Sequence, residues 1–364
     1  MRLAIITTHP IQYYAPLFEI LAHDGNITVK VFYTWERGAE KYDEGFGKSF
    51  SWDIALLEGY DYEFVSNNGN YGKNFWKVRN PRLISSITEW GAEAVLVFGW
   101  NYLSHLQAMR HFKGRIPVLF RGDSTLLRES SAIKKFARRF FLTWVYKHID
   151  YALYVGTNNK NYFLNYGVPE NRLVFAPHAV DNERFRNSNS EQEINAWKRE
   201  LEIPEDSIVF LYAGKLEATK DPLLLIESFK KLQGNKFRLI IAGNGKLENE
   251  VDASARMDRR IKRLPFQNQS KMPAVYRLGD IFVLPSIGET WVLAVNEAMA
   301  CGRAILLSDK VGSAPDLVDQ GENGYVFRAG DSEDLLEKMK RLEHKRTVAA
   351  FGKESERIIE NWSY

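Results

Sequence analysis

The run from Ile281 to Gly302, IFVLPSIGETWVLAVNEAMACG, constrains the chain more than any other. It opens on Ile281-Phe282-Val283-Leu284 and Pro285, which suits a short strand buried on both faces of a parallel sheet. Apolar residues recur at helical spacing from Trp291 to Ala300, and Gly302 stands where a left-handed glycine ends a helix. A strand, a tight turn and a helix N-terminus together form an anion site, because free backbone N–H groups and the helix dipole face one point. Glu289 stands at the mouth of that site. Glu297, eight positions later, would reach a neutral hydroxyl of the same ligand.

Strands and helices alternate on both sides of this stretch. In the first half, strands are expected at 3–7, 28–33, 94–98, 117–121, 151–155 and 173–176, with helices at 16–23, 102–112, 131–148 and 158–166. In the second, strands are expected at 208–213, 237–242, 261–264, 281–284 and 304–308, with helices at 223–232, 272–278, 291–300 and 314–319. Such alternation predicts doubly wound parallel sheets. A mixed polar run at 177–190 reads as the crossing between two domains, 1–180 and 181–364. Residues 35–80 break the alternation. They are rich in glycine, asparagine and aromatics, including 45–47, Trp52, Tyr60 and 67–72, and a stretch this long without period is either functional or mobile. Asp61-Tyr62-Glu63 only superficially resembles a metal-binding triplet, and no metal site is assigned.

Ligands of open parallel sheets bind at the carboxyl ends of the strands. At that edge the first half places His9-Pro10-Ile11-Gln12-Tyr13, where His9 would either donate to a substrate or cap its loop. It also places Arg121-Gly122-Asp123, where Arg121 suits an anion and Asp123 a sugar hydroxyl or a proton, unless the two simply pair and hold the loop. In the second half, Lys215 and Lys220 flank a loop between strand and helix and would suit a diphosphate facing the helix at 291–300. Gly243-Asn244-Gly245 lets a ligand approach the backbone but lacks the third glycine of a dinucleotide fingerprint, which argues against an oxidoreductase. The helix at 131–148 carries Lys134, Lys135, Arg138 and Arg139 on one face and Phe136, Phe140 and Trp144 on another. It reads as a covering helix with a solvated outer face or as a contact with an anionic membrane surface.

Totals narrow the class. Apolar residues make up 45% and charged residues 26%, which excludes a disordered chain. A net charge of +3 is too small to argue for nucleic acid, though it leaves a nucleic-acid acceptor open. One cysteine, Cys301, rules out an internal disulfide framework and suits a reducing compartment. No leader-like segment and no membrane-length apolar run is apparent, so a cytoplasmic protein is expected, with any contact to the inner membrane face peripheral.

The spacing of Glu289 and Glu297, continuing as Glu297-Ala298-Met299-Ala300-Cys301-Gly302, resembles the retaining nucleotide-sugar glycosyltransferases of the GT-B fold, family four. Gly214-Lys215 with Lys220, Gly243-Asn244-Gly245, Gly312 with Asp316, Asn323-Gly324, and the run from Gly167 to Asp181 resemble the same family. The resemblance implies two Rossmann-like domains facing across a cleft, the first binding acceptor and the second the nucleotide sugar. It gives Glu297 the ribose hydroxyls, Glu289 the donor sugar, the amides of Trp291 and Val292 beside Thr290 the phosphates, and Phe266 and Gln267 the base. Gly214, Gly243 and Asn244 would line the donor. Lys215 and Lys220 would stabilise the leaving diphosphate, so that neither a metal nor a cofactor is required. His9, Gln12, Tyr13 and Arg121 fall on the acceptor side, and Asp123 joins the catalytic set.

Several positions depart from the pattern. Lys215 replaces the usual arginine, Arg121-Gly122-Asp123 replaces a histidine, and a bulkier Thr290-Trp291-Val292 replaces Gly-Phe-Gly, which predicts a narrower sugar pocket. The usual last helix crossing back to the first domain is expected to be missing. The implied activity is retaining transfer, without a metal, from a nucleotide diphosphate sugar, a uridine one favoured, to a glycan, a lipid-linked or another hydroxyl acceptor. A nucleotide-sugar epimerase of the same fold, or a sugar-nucleotide binding protein without catalysis, are the rival readings.

Overall fold

The computed structural model describes residues 1–35, 41–43, 48–50, 52–66, 75–76, 78–127, 132–188 and 190–364. The glycine-rich runs at 45–47 and 67–72, and the side chain of Lys134, lie outside the described residues. The chain forms two compact units, one of Met1–Lys41, Ile54–Pro177 and Tyr364, the other of Tyr42–Asp53 and His178–Ser363.

Along the first half run β1 (Arg2–Thr7), α1 (Ala15–His23), β2 (Thr28–Tyr33), the short pair β3 (Lys41–Asp43) and β4 (Lys48–Phe50), β5 (Asp61–Phe64), α2 (Leu83–Trp90), β6 (Ala94–Phe98) and α3 (Leu103–Phe112). They are followed by β7 (Val118–Arg121), α4 (Ala132–Tyr146), β8 (Tyr151–Tyr154), α5 (Thr157–Asn165) and β9 (Leu173–Phe175). Seven strands pair in the order β5-β2-β1-β6-β7-β8-β9, every neighbour parallel. The continuous apolar runs have a simple cause. Along β1, Ala4 and Ile6 face one buried cluster with Leu106 of α3 and Leu142 of α4, while Leu3 and Ile5 face another with Phe18 of α1. Both faces are covered, so strict alternation with polar residues is lost. Asp61-Tyr62-Glu63 opens β5 at the sheet edge, and Lys30 pairs with Glu63 across the strands at 3.0 Å.

The second half runs α6 (Asn182–Arg186), α7 (Glu191–Glu200), β10 (Ile208–Ala213), α8 (Pro222–Lys231), β11 (Phe237–Ala242), α9 (Glu248–Met257), β12 (Ile261–Leu264), α10 (Met272–Leu278) and β13 (Ile281–Leu284). Then come α11 (Leu293–Ala300), β14 (Ala304–Ser308), α12 (Ala314–Leu317), β15 (Gly324–Phe327), α13 (Ser332–Arg341) and α14 (Lys345–Ile359). Its strands pair in parallel as β12-β11-β10-β13-β14-β15, a doubly wound order that reverses between β10 and β13. The loops after those two strands, beginning at Gly214 and Pro285, therefore flank the switch point. Helix α8 starts there on Asp221, whose carboxylate accepts from the Leu224 amide, with Pro222 in the first turn.

One expectation changes. The helix expected at 291–300 begins at Leu293, because Val292 takes a left-handed φ of 79°, a conformation no helix continues through. At the other end Gly302 caps as expected, with φ 69° and its amide donating to Met299 O. Near the chain's end, α14 and Trp362 belong to the second unit, whereas Tyr364 belongs to the first, its hydroxyl donating to Tyr13 O at 2.8 Å.

Candidate functional site

In the second unit the loop after β10 and the turn after β13 are fastened to each other. The Ile287 amide donates to Thr219 O at 3.0 Å, and Lys220 Nζ lies 2.6 Å from Glu289 Oε1, each side chain 17% exposed. Glu289 is held from behind as well, its amide donating to Lys310 O at 2.9 Å. A carboxylate and an ammonium thus stand together one turn before α11, in partly desolvated surroundings where charge counts for more than at the surface. Lys215 lies on the same loop as Lys220. Its carbonyl accepts from the Tyr212 hydroxyl at 2.6 Å, and burial, with Glu289 next in weight, holds that phenol well above its ordinary range and so protonated.

Glycine makes the close packing feasible. Gly243 has φ 133°, and a Cβ there would fall inside the Gly214 carbonyl. A Cβ on Gly312 would strike the carbonyl of Thr290. Backbone presses on backbone at both places, so only a residue without a side chain fits. Between the glycines, Asn244 ties three segments: its carbonyl accepts from the Leu216 amide at 3.0 Å, its Oδ1 accepts from the Phe266 amide at 2.6 Å, and its Nδ2 donates to Glu248. Phe266 and Gln267 are thereby set beside the Gly243 turn. Gly214, Lys215, Lys220, Gly243, Asn244, Phe266, Gln267, Glu289, Thr290, Trp291, Val292 and Glu297 all belong to this unit.

Inside α11, Glu297 is buried and one of its oxygens accepts from the Tyr276 hydroxyl at 2.6 Å. Trp291 is buried too, which shifts the expectation of a narrowed sugar pocket. Its ring lies 5.1 Å from that of Trp362 and 5.9 Å from that of His178, and its Nε1 donates to Asn296 Oδ1 at 3.0 Å. Asn296 in turn donates to His178 O. The indole bulk is absorbed by the interior of the unit, leaving the Trp291 backbone at the turn.

The first unit carries the remaining candidates at the carboxyl edge of its own sheet. His9 stacks on Trp35 with ring centres 5.0 Å apart and planes 9° apart, and bonds Thr8 Oγ1 at 2.9 Å. Gln12 and Tyr13 form the turn into α1. The Arg121 guanidinium is buried and donates to Ala176 O at 2.7 Å and Pro177 O at 2.9 Å, so it spends its two amino groups on the chain after β9. That is a structural use which the anion reading did not foresee. Asp123 lines a cavity of about 240 Å³ with Trp100, Asn101, Tyr146 and Tyr162. It also sits near Tyr14, whose phenol is pushed up to about 12 by burial first and this carboxylate second. Among the described residues no group of three histidines, cysteines or carboxylates is placed to hold a metal.

Some members of both sites escaped the sequence reading. Tyr212 and Tyr276 each carry the one hydroxyl in an apolar run, a signal in principle, since a buried tyrosine must find a partner for its O–H. Trp100, Tyr146 and Tyr162 come from three different elements, and only the fold brings them together.

Residues 193–362 match the family model described as Glycosyl transferases group 1. A D-inositol 3-phosphate glycosyltransferase of Saccharomonospora viridis is 28% identical over 186 residues, covering 47% of this chain and 42% of that protein. The UDP-Gal:alpha-D-GlcNAc-diphosphoundecaprenol alpha-1,3-galactosyltransferase of Escherichia coli is 25% identical over 196 residues, covering 52% of this chain and 50% of that one. The chain thus spans about half, or less, of the length of the curated relatives it matches. Among solved structures, Anabaena Alr3699/HepE in complex with UDP aligns over 100% of this chain and 95% of its own, with a TM-score of 0.73 and 16% identity. At that identity the likeness speaks for the fold, two parallel-sheet α/β units of the GT-B class.

Proposed function

We propose, from the match of residues 193–362 to the glycosyl transferases group 1 family model, that the chain is a retaining glycosyltransferase using a nucleotide diphosphate sugar. The observation that carries the reading is the Lys220–Glu289 pair at the turn into α11, on a loop that also bears Lys215. A diphosphate leaving group develops negative charge as its bond to the anomeric carbon breaks. Two lysines and the N-terminus of α11 supply the compensating positive charge, a task that a metal ion performs in other transferases. Glu289 then holds the donor sugar's hydroxyls and Glu297 the ribose, with the base against Phe266 and Gln267. The electron pair of the broken bond departs with the diphosphate, the acceptor oxygen bonds the anomeric carbon on the same face, and the acceptor's proton leaves with the diphosphate. Asp123, in the first unit, orients that hydroxyl, with His9, Gln12 and Tyr13 on the acceptor side.

A uridine donor is favoured. The E. coli relative's name specifies UDP-Gal, and the Anabaena neighbour was solved with UDP. The acceptor is a hydroxyl of a glycan or of a lipid-linked saccharide. The test is a screen of UDP- and GDP-sugars for nucleotide release in the presence of EDTA, with the anomer of the released or transferred sugar read by NMR. UDP release that survives EDTA and retains the anomeric configuration is expected. Conversion of the donor to its epimer, or binding without any release, would overturn the reading.

A further inference from the structure

Helix α4 is apolar on both sides. Leu142, Val145 and Tyr146 face the core of the first unit. Yet Ile133, Phe136 and Phe140 are 83%, 66% and 65% exposed, and Trp144 continues the same stripe at helical spacing. Beside the stripe, Arg139, Lys147 and Leu164 of α5 complete a groove of about 610 Å³. Arg110 stands 5.5 Å from the Trp144 ring. From 132 to 147 the sequence holds five cations and no carboxylate. Lys135, Arg138 and Arg139 are all exposed, and Arg138 also donates to the Tyr162 hydroxyl.

A solvated helix face mixes both signs of charge and shows few aromatic rings. This one shows rings flanked by cations alone. A contiguous apolar patch of that kind marks a contact surface. Its charge selects the partner. A second copy of the chain, docked about a two-fold axis, would set these cations against their own like. An anionic leaflet offers phosphates to the cations and an acyl boundary to the rings, which is the double demand of an interfacial helix. We propose that α4 docks the first unit on an anionic phospholipid bilayer, with Phe136, Phe140 and Trp144 at the headgroup–acyl boundary and Arg139 and Lys147 on lipid phosphates. The helix is roughly 22 Å long, enough to lie along the surface. No helix among the described residues is long and apolar enough to cross a membrane. The face shares no residue with the Lys220 turn, so docking and sugar transfer can fail separately.

Flotation of the full chain with liposomes tests this, using phosphatidylcholine alone and an equal mixture with phosphatidylglycerol. Strong binding to the mixture, weak binding to phosphatidylcholine and loss in high salt are expected. The double variant Phe136→Ser/Phe140→Ser should partition about tenfold or more weaker. Arg139→Ala/Lys147→Ala should partition about 30-fold weaker on the mixture and unchanged on phosphatidylcholine. Both variants should keep the circular dichroism, the melting temperature and the UDP-sugar turnover of the unaltered chain. Failure of the chain to bind the mixed liposomes, or equal binding by both variants, would overturn the proposal. So would a dimer in sedimentation velocity that the phenylalanine variants abolish.

Discussion

The two sheets share one winding scheme, reversing between β1 and β6 in the first unit and between β10 and β13 in the second, yet their carboxyl edges are built differently. In the second unit backbone presses on backbone at Gly243 and Gly312, and an ion pair joins the two loops at the reversal. In the first unit the same edge is lined by rings and side-chain hydrogen bonds, with His9 on Trp35 and Trp100, Tyr146 and Tyr162 around Asp123. Rigid backbone suits a ligand part that never changes, such as a diphosphate. Side-chain walls are easily exchanged without disturbing the sheet, which suits a partner that differs from one enzyme to the next.

The contrast can be broken most sharply at its glycines. Gly243→Ala and Gly312→Ala should each cost about 3 kcal/mol or more, since the obstructing atoms are carbonyls that cannot rotate away. Gly122→Ala, at the first unit's edge, meets ring carbons of Phe120 at 3.1 and 3.4 Å, a side chain that has to give by a few tenths of an ångström, and should cost less, about 1 kcal/mol. Urea melts of the three variants decide it, and equal costs would erase the distinction.

The first unit should instead be the acid-sensitive one. His105 is fully buried, bonded to Thr34 Oγ1 and to Gly99 O, and burial pushes its pKa down to about 4. The unfolded chain takes up a proton below its ordinary value of about 6.5 that the folded chain refuses, so stability falls as the pH drops from there towards 4. The loss is on the order of 3 kcal/mol. Denaturation followed between neutral pH and pH 4 should show a flatter profile for His105→Gln. An identical profile would remove His105 from the account. The second unit's buried Cys301 behaves oppositely, its thiol pushed up to about 12 by burial and hence inert to alkylating reagents in the folded state.

A smaller effect sharpens the picture of the turn. Val292 is a β-branched residue at positive φ, a conformation that stores strain, so Val292→Gly should raise stability by about 1 kcal/mol. A lower melting temperature would mean that packing of the valine side chain outweighs the strain.

Much of this was legible in the sequence because parallel sheets write themselves plainly. Ile208–Ala213, Phe237–Ala242 and Ala304–Ser308 coincide with their expected strands, each an apolar run bounded by polar turns. Helices α9, α13 and α14 went unread: they lie on the outside, where polar residues outnumber apolar ones. The turns at Gly243 and Gly312 and the placing of Glu289 and Glu297 around the start of α11 were legible because they sit at fixed distances along the chain and answer to backbone geometry. The Trp291 side chain was not. Its destination depends on Trp362, 71 positions later, and spacing carries no record of which way a ring turns. Arg121 misled for a related reason, since its partners Ala176 and Pro177 offer only carbonyls, which every residue has.

The central claim is that the rigid edge of the second unit stabilises a leaving diphosphate, and turnover of Lys220→Ala with the preferred UDP-sugar tests it most directly. The account predicts a fall of about 100- to 1,000-fold in kcat, with the melting temperature and donor Kd little changed. Near-normal turnover in a folded variant would contradict it.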